Sequence, residues 1–309
     1  MSQVRAYLEL FRLPNVFTAI ADVAMGYLVT HPLLNSPAEM ALLAVASGLL
    51  YTAGMVLNDV YDAKVDAAER PHRPIPSGRV SVRFATWLGY QLLAMGVICG
   101  WIAAQLAGNS RPGMVATALA AAVVAYDAWL KKTALAPLGM GACRFLNVAL
   151  GMSLSAVALD TPHALIAAGV GVYIVGVTWF SRSEAEESNR AALIGALVLM
   201  LGGIGLLAWA PFYDSVDGAP SQLFPYVAQL GRNWWLLWGL LALSIAYRAV
   251  LAISDPSPGR VQQAVKHSIM SLIVLDAAST AGVQGLVAAT AVLLLLVPAR
   301  LLGRWVYST

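Results

Sequence analysis

The stretch Met40-Ala41-Leu42-Leu43-Ala44-Val45-Ala46-Ser47-Gly48-Leu49-Leu50-Tyr51-Thr52-Ala53-Gly54-Met55-Val56-Leu57 carries no charge over 18 residues, then runs into Asn58-Asp59-Val60-Tyr61-Asp62-Ala63-Lys64-Val65-Asp66. A helix needs about 20 mostly apolar residues to cross the hydrocarbon core of a bilayer. Backbone groups in that core must be satisfied within the chain, so a run of this length forms a helix. The stretch predicts a membrane-spanning helix with an acidic end.

The whole chain has the same character. Of its 309 residues 59% are hydrophobic and 11% charged, and the mean hydropathy is +0.72. Soluble domains carry roughly 25% charged residues. So few charges cannot cover the surface of a soluble protein, which excludes a soluble enzyme, a disordered chain and a nucleic-acid binder. The expected class is all-α: one polytopic membrane domain over residues 1–309, with nine transmembrane helices.

The nine spans are expected at 14–30, 39–58, 84–106, 113–130, 138–159, 163–181, 191–211, 233–252 and 281–302. The amphipathic segment 261–278 reads as interfacial or re-entrant. Fourteen of the 19 basic residues fall on one side of this arrangement and four on the other. By the positive-inside rule the N-terminus is cytoplasmic, in an inner or plasma membrane, and an odd span count puts the C-terminus outside. The start, Met1 to Leu13, carries Arg5, Glu9 and Arg12 and does not read as a removable signal peptide. Cys99 and Cys143 lie in apolar runs and read as small core residues. Tyr213, Phe224, Tyr226, Trp234, Trp235 and Trp238 read as an aromatic belt at the outer interface.

Chemistry concentrates after the second span. Asp59, Asp62 and Asp66 have the spacing of one helix face, with Asn58 in an overlapping row. Carboxylates so placed repel unless a cation lies between them. Mg²⁺ takes oxygen ligands and is commonly held by one or two carboxylates plus substrate phosphates. Arg70-Pro71-His72-Arg73-Pro74-Ile75-Pro76-Ser77-Gly78 follows. Arg forks suit phosphate oxygens, and the prolines end the helix and stiffen the turn. The three aspartates are the expected catalytic and metal-holding residues, and Arg70 and Arg73 are expected to bind phosphate.

These residues resemble the first aspartate-rich signature of the UbiA family of membrane prenyltransferases, Asn-Asp-x-x-Asp-x-x-x-Asp with an Arg-Pro-x-Arg-Pro turn. Within the family the details are most similar to the EboC group. The resemblance implies a helical bundle around a central cavity in which Mg²⁺ and the acids hold an isoprenyl diphosphate, whose prenyl group passes to an unnamed acceptor, aromatic or lipid-like, with membrane lipids as the other expected partners. It also implies that Asn15, Asn58, Tyr126 and Lys131 contact the substrate. In Tyr126-Asp127-Ala128-Trp129-Leu130-Lys131, Asp127 stands where the family has serine. The second signature, Asp-x-x-x-Asp after the sixth span, is absent. Ser181-Arg182-Ser183-Glu184-Ala185-Glu186-Glu187 stands there, with Glu184 and Glu187 as substitute metal ligands or a solvated acidic loop.

Arg144 stands inside the fifth span with Asn147 a turn on. A charge within a span costs about 2.5–3.5 kcal/mol, so it faces a polar cavity or a partner. Arg144 and Asn147 are therefore candidate ligands of diphosphate or acceptor, and Asp22 in the first span is the candidate partner. The competing function is a non-catalytic transporter or lipid-handling protein on the same scaffold.

Overall fold

In the computed structural model the described residues are 3–31, 35–155, 159–182, 189–213 and 219–305, and all their regular structure is helical. A short α1 (Gln3–Leu10) precedes α2 (Leu13–Thr30) and α3 (Pro37–Tyr61). Then come α4 (Ala63–Glu69), α5 (Val82–Leu106), α6 (Arg111–Ala128) and α7 (Ala136–Met152). The chain continues through α8 (Thr161–Phe180), α9 (Arg190–Trp209), α10 (Pro225–Leu230) and α11 (Arg232–Ser254), and ends in α12 (Pro258–Leu293) and α13 (Leu296–Trp305). Proline in the first turn begins many of them, α2, α3, α6, α7, α8 and α12 included, where the missing N–H has no partner to lose. Among the described residues eight helical stretches are long and apolar enough to cross a membrane. The chain is a multi-span membrane protein.

α2 is the hub. Nearly all of it is buried, and it packs against α3, α7, α12 and α13. Its closest approach is to α7, where Gly26 lies against the Val148 carbonyl and Gly151 against the Val23 carbonyl with no room for a Cβ at either position. Small residues at such crossings let backbones meet, which is how helices gain contact in lipid, where apolar surface has no solvent to escape. α8 meets α9 the same way through Gly169, Gly176 and Gly203.

The C-terminal region departs from the expected layout. Segment 261–278 is neither interfacial nor re-entrant. It is the well-buried middle of a helical leg over 258–284, with Val261, Leu272, Ile273, Leu275 and Asp276 wholly buried. The helix breaks at Gly285 (φ 77°, ψ −175°), a conformation open essentially to glycine alone. There the Tyr226 ring packs on the backbone, and Gln284 Nε2 donates to the Leu28 and His31 carbonyls, both at 2.9 Å, at the far end of α2. The chain then returns, so that Ala299, Arg300, Gly303 and Arg304 share one cleft with Pro14, Lys266 and His267. The expectation of a single span at 281–302 and of chain ends on opposite faces is thereby corrected: residue 304 lies on the side of the bundle where α2 begins. Amphipathicity pointed to a water interface, but only part of the polar face is exposed: Gln263 and Lys266 are, whereas Ser268, Ser271 and Asp276 are buried against other helices.

The aromatic belt is also narrower than expected. Tyr213, Tyr226 and Trp235 are exposed, whereas Phe224, Trp234 and Trp238 are buried in the core between α11, α12 and their neighbours. The Trp234 indole N–H donates to the Ala208 carbonyl at 2.9 Å.

Two outcomes follow from this packing. Single cysteines at positions 5 and 304, in a chain whose Cys99 and Cys143 are replaced by serine, should react with a membrane-impermeant maleimide from the same side; labelling from opposite sides would undo the return leg. Gly151→Val should destabilise by about 1–3 kcal/mol, the cost of forcing extra volume into a packed contact, and show a lowered Tm in detergent. Gly202→Ala, where a Cβ meets nothing, should not.

Candidate active site

The helices around α2 enclose a cavity of about 320 Å³. One end lies where α2 begins and α3 ends, and the other reaches into the bundle beside α7. The end near the acidic motif is polar. α3 stops at Tyr61, Asp62 takes a non-helical conformation (φ −94°, ψ 0°), and α4 resumes at Ala63. This joint separates the three aspartates. Asp62 lines the cavity, while Asp59 and Asp66 are buried behind it.

Arg73 organises the buried pair. Its Nη1 donates to Asp66 Oδ2 at 2.7 Å and lies 3.5 Å from Asp59 Oδ1. Arg12 Nη2 donates to the same Asp59 oxygen at 3.2 Å. Two carboxylates buried together would repel strongly, and one guanidinium between them removes most of that cost. Arg73 reaches this position because the proline-rich turn folds back under the motif. Arg79 clamps that turn to α1 by donating to Glu9 Oε2 at 2.8 Å and to the His72 carbonyl at 2.7 Å. Gly78 (φ 74°) supplies the left-handed residue that closes it.

Asp62 pairs with Lys131, whose Nζ lies 2.8 Å from its Oδ1. The same ammonium donates to the Asn58 carbonyl and to Asn58 Oδ1, both at 3.2 Å. Arg70 also lines the cavity, and among the described residues it forms no ion pair. Asn15, at the start of α2, and Tyr126, at the end of α6, complete this end. No group of three or more His, Cys, Asp or Glu stands in metal-holding geometry among the described residues.

The deep end holds Arg144 and Asn147. Arg144 both lines the cavity and pairs with Asp22, combining two roles that looked like alternatives. Nη1 donates to Asp22 Oδ2 at 2.7 Å, Nη2 donates to Thr18 Oγ1 at 2.8 Å, and the guanidinium lies 5.4 Å from the Tyr51 ring centroid. Asn147 Nδ2 donates to Asp22 Oδ2 and to the Ala19 carbonyl at 2.9 Å each, and its Oδ1 accepts from Ser47 at 2.7 Å. Between the two ends the walls are apolar, formed by Leu50, Leu119, Val123, Met140, Ile174, Val177, Val265 and Ile269.

The structure thus brings Asn15, Asn58, Asp62, Arg70, Arg73, Tyr126, Arg144 and Asn147 to one cavity, with Lys131 reaching in from the rim. Glu184 and Glu187 lie outside the described residues; Ser181, just before them, lines the wall. Two cavity residues carried no role in the sequence reading. Arg12 counted only as a positive-inside charge. Asp127 was noted only as a departure from serine, yet it is buried, lines the cavity and has an Oδ2 without a hydrogen-bond partner. An acid four residues before Lys131 at the end of an apolar helix was the signal for it.

Comparison with known proteins agrees with this geometry. The chain is 35% identical over 130 residues to the digeranylgeranylglyceryl phosphate synthase of Saccharolobus solfataricus, a match covering 42% of this chain and 44% of that one. It is 43% identical over 94 residues to the synthase of the same name from Methanopyrus kandleri, covering 30% and 34%. These matches span less than half the length of the curated relatives. In fold the chain is similar to a UbiA homolog from Archaeoglobus fulgidus solved bound to GPP and Mg²⁺, with a TM-score of 0.66 at 15% identity over 93% of this chain and 99% of that one. The UbiA prenyltransferase family model matches residues 19–272, most of the chain including the motif, most of the cavity lining and the buried Arg144, and the chain belongs to that family.

Proposed function

We propose that this protein is a Mg²⁺-dependent membrane prenyltransferase that moves an isoprenyl group from an isoprenyl diphosphate to a lipid-like or aromatic acceptor. The observation that carries the reading is the division of the cavity: cations and hydrogen-bond donors at the motif end, apolar walls between it and the deep Arg144 and Asn147, and Arg70 at the motif end without an ion pair among the described residues. A diphosphate head with a hydrocarbon tail has the same division. The relatives named as digeranylgeranylglyceryl phosphate synthases and the neighbour bound to GPP and Mg²⁺ support it.

The donor set fits a hard cation. Asp62 and Asn58 offer oxygens at the wall, Asp127 carries a buried, unpartnered carboxylate oxygen beside it, and Asp59 and Asp66 stand directly behind. Asp59, Asp62 and Asp66 are the proposed ligands, with Glu184 and Glu187 proposed for a second ion. Bound Mg²⁺ supplies neutralisation of charge on the leaving diphosphate.

The protein's own groups do the rest. Arg12, Arg70, Arg73 and Lys131 hold diphosphate oxygens where negative charge grows as the C–O bond breaks and the electron pair leaves with the diphosphate. The apolar walls keep water from the allylic cation, so the acceptor's nucleophilic atom forms the new bond and releases its proton. Arg144, with N–H groups left over after Asp22 and Thr18, orients the polar part of the acceptor. We place the polar end, and the N-terminus, on the cytoplasmic side, in keeping with the distribution of Lys and Arg.

One binding experiment tests the site. Purified protein should retain a non-hydrolysable geranyl diphosphate analogue only with Mg²⁺, and Asp62→Asn and Arg70→Gln should each weaken retention at least about tenfold, the loss of one charge-assisted contact. Glu184→Gln and Glu187→Gln should weaken it too, and Glu186→Gln should not. Equal retention by all variants would refute the site. Mg²⁺-dependent retention without prenyl transfer to any lipid or aromatic acceptor would favour the lipid-handling alternative.

The deep end separates structure from chemistry. Arg144→Met leaves Asp22 buried without its cation, which should cost about 3–5 kcal/mol and lower Tm. Adding Asp22→Asn should recover much of the Tm but not acceptor use. A single variant with unchanged Tm and activity would remove both roles.

A further inference from the structure

On another face of α12 from the active-site cavity lies a second cleft of about 450 Å³. The two share no lining residue: Val265 and Ile269 face the first, Lys266 and Met270 the second. Arg248 of α11, Lys266 and His267 of α12, and Arg300 and Arg304 of α13 converge on it, beside Pro14. No acidic residue lines it, and none of its four Arg and Lys side chains forms an ion pair or hydrogen bond among the described residues. His267 is held by Ser244, whose Oγ lies 3.2 Å from Nε2.

The positive-inside rule accounts for these cations being on the motif side. It does not account for four of them converging in one concavity, since unpaired cations at helix ends gain by pointing away from one another into water. Nor do Lys266 and Arg248 stand at the very ends of their helices. Lys266 is eight residues into α12 and Arg248 six residues before the end of α11, roughly 12 and 9 Å along the axis at 1.5 Å per residue. That depth belongs to lipid head groups. Farther in along the same helix faces stand exposed apolar side chains, Leu240 two turns before Arg248 and Val297 one turn before Arg300. Phosphate-binding cations therefore sit above apolar surface suited to acyl chains.

We propose that this cleft binds the phosphate head group of an anionic membrane phospholipid, which neutralises the cluster and holds the return leg of α13 against α2 and α12. Basic pockets between membrane helices are suited to anionic head groups. The site is separate from the prenyl-transfer cavity and stands whether or not that reading holds.

Native mass spectrometry and melting curves of the full chain in detergent test it, with dioleoylphosphatidylglycerol, dioleoylphosphatidylcholine and inorganic phosphate as probes. Phosphatidylglycerol should be retained and raise Tm while phosphatidylcholine does neither. Lys266→Gln with Arg300→Gln should weaken that retention about 30-fold, roughly fivefold per basic side chain. Arg83→Gln with Arg182→Gln, the same charge loss elsewhere on the same side, should leave it intact. Equal retention of the two lipids would overturn the proposal, as would an equal loss in the control pair. Displacement of the lipid by inorganic phosphate at similar concentration would point to a soluble anion and overturn the lipid assignment. Should the Lys266 and Arg300 variant not fold, the lipid selectivity of the unaltered chain and of Lys266→Arg with Arg300→Lys, expected to match it, decides the matter.

Discussion

Arg144 crosses from α7 to α2 and fixes its guanidinium between Asp22 and Thr18. A lone charge at this depth would be driven to the surface, so the pair must be made, and making it sets how α2 lies on α7. Asn147 extends the link to the Ala19 carbonyl and, through Ser47, to α3. Gly26 and Gly151 then allow the two backbones to approach closely enough for these short side chains to meet. Asn15 at the start of α2 and Asn58 near the end of α3 are brought to one cavity by the helices that this polar node holds in place. Asp276 joins the node from α12, wholly buried and within electrostatic reach of Asp22 and Arg144.

The polar end of the cavity depends on a second cation, Arg73. By holding Asp59 and Asp66 together it lets two carboxylates be buried side by side beneath the cavity. That leaves Asp62, Asn58 and Arg70 at the wall, where a ligand meets them. A spacing that puts three acids on one ideal helix face would have presented all three alike. The break at Asp62 assigns them different surroundings, two as partners of Arg73 and one as partner of Lys131.

α12 works on two sides. Successive residues point about 100° apart around a helix, so Val265 and Ile269 enter the prenyl cavity while Lys266 and Met270 enter the basic cleft. The amphipathic pattern of 261–278 is real, but Gln263 and Lys266 near its start stay exposed while Ser268, Ser271 and Asp276 are buried among other helices. The spacing of polar residues along a helix tells which face is polar; it does not tell whether water or another helix covers that face.

The sequence by itself determined that this is a helical membrane protein, because uncharged runs as long as Met40 to Leu57 have no other means of satisfying their peptide groups in lipid. It also determined which residues carry polar and charged groups near the polar end, since Asn58, Asp59, Asp62, Asp66, Arg70 and Arg73 lie within one short stretch. Only the tertiary structure decided that Arg12 and Asp127 belong to that end, because they come from other helices and their spacing along the chain says nothing of proximity. It alone decided the return at Gly285, where one left-handed glycine outweighs an apolar run that hydropathy reads as continuous. And it alone decided that Arg144 serves Asp22 and the cavity at once, since a guanidinium's several donors can be shared out only when the helices around it are in place.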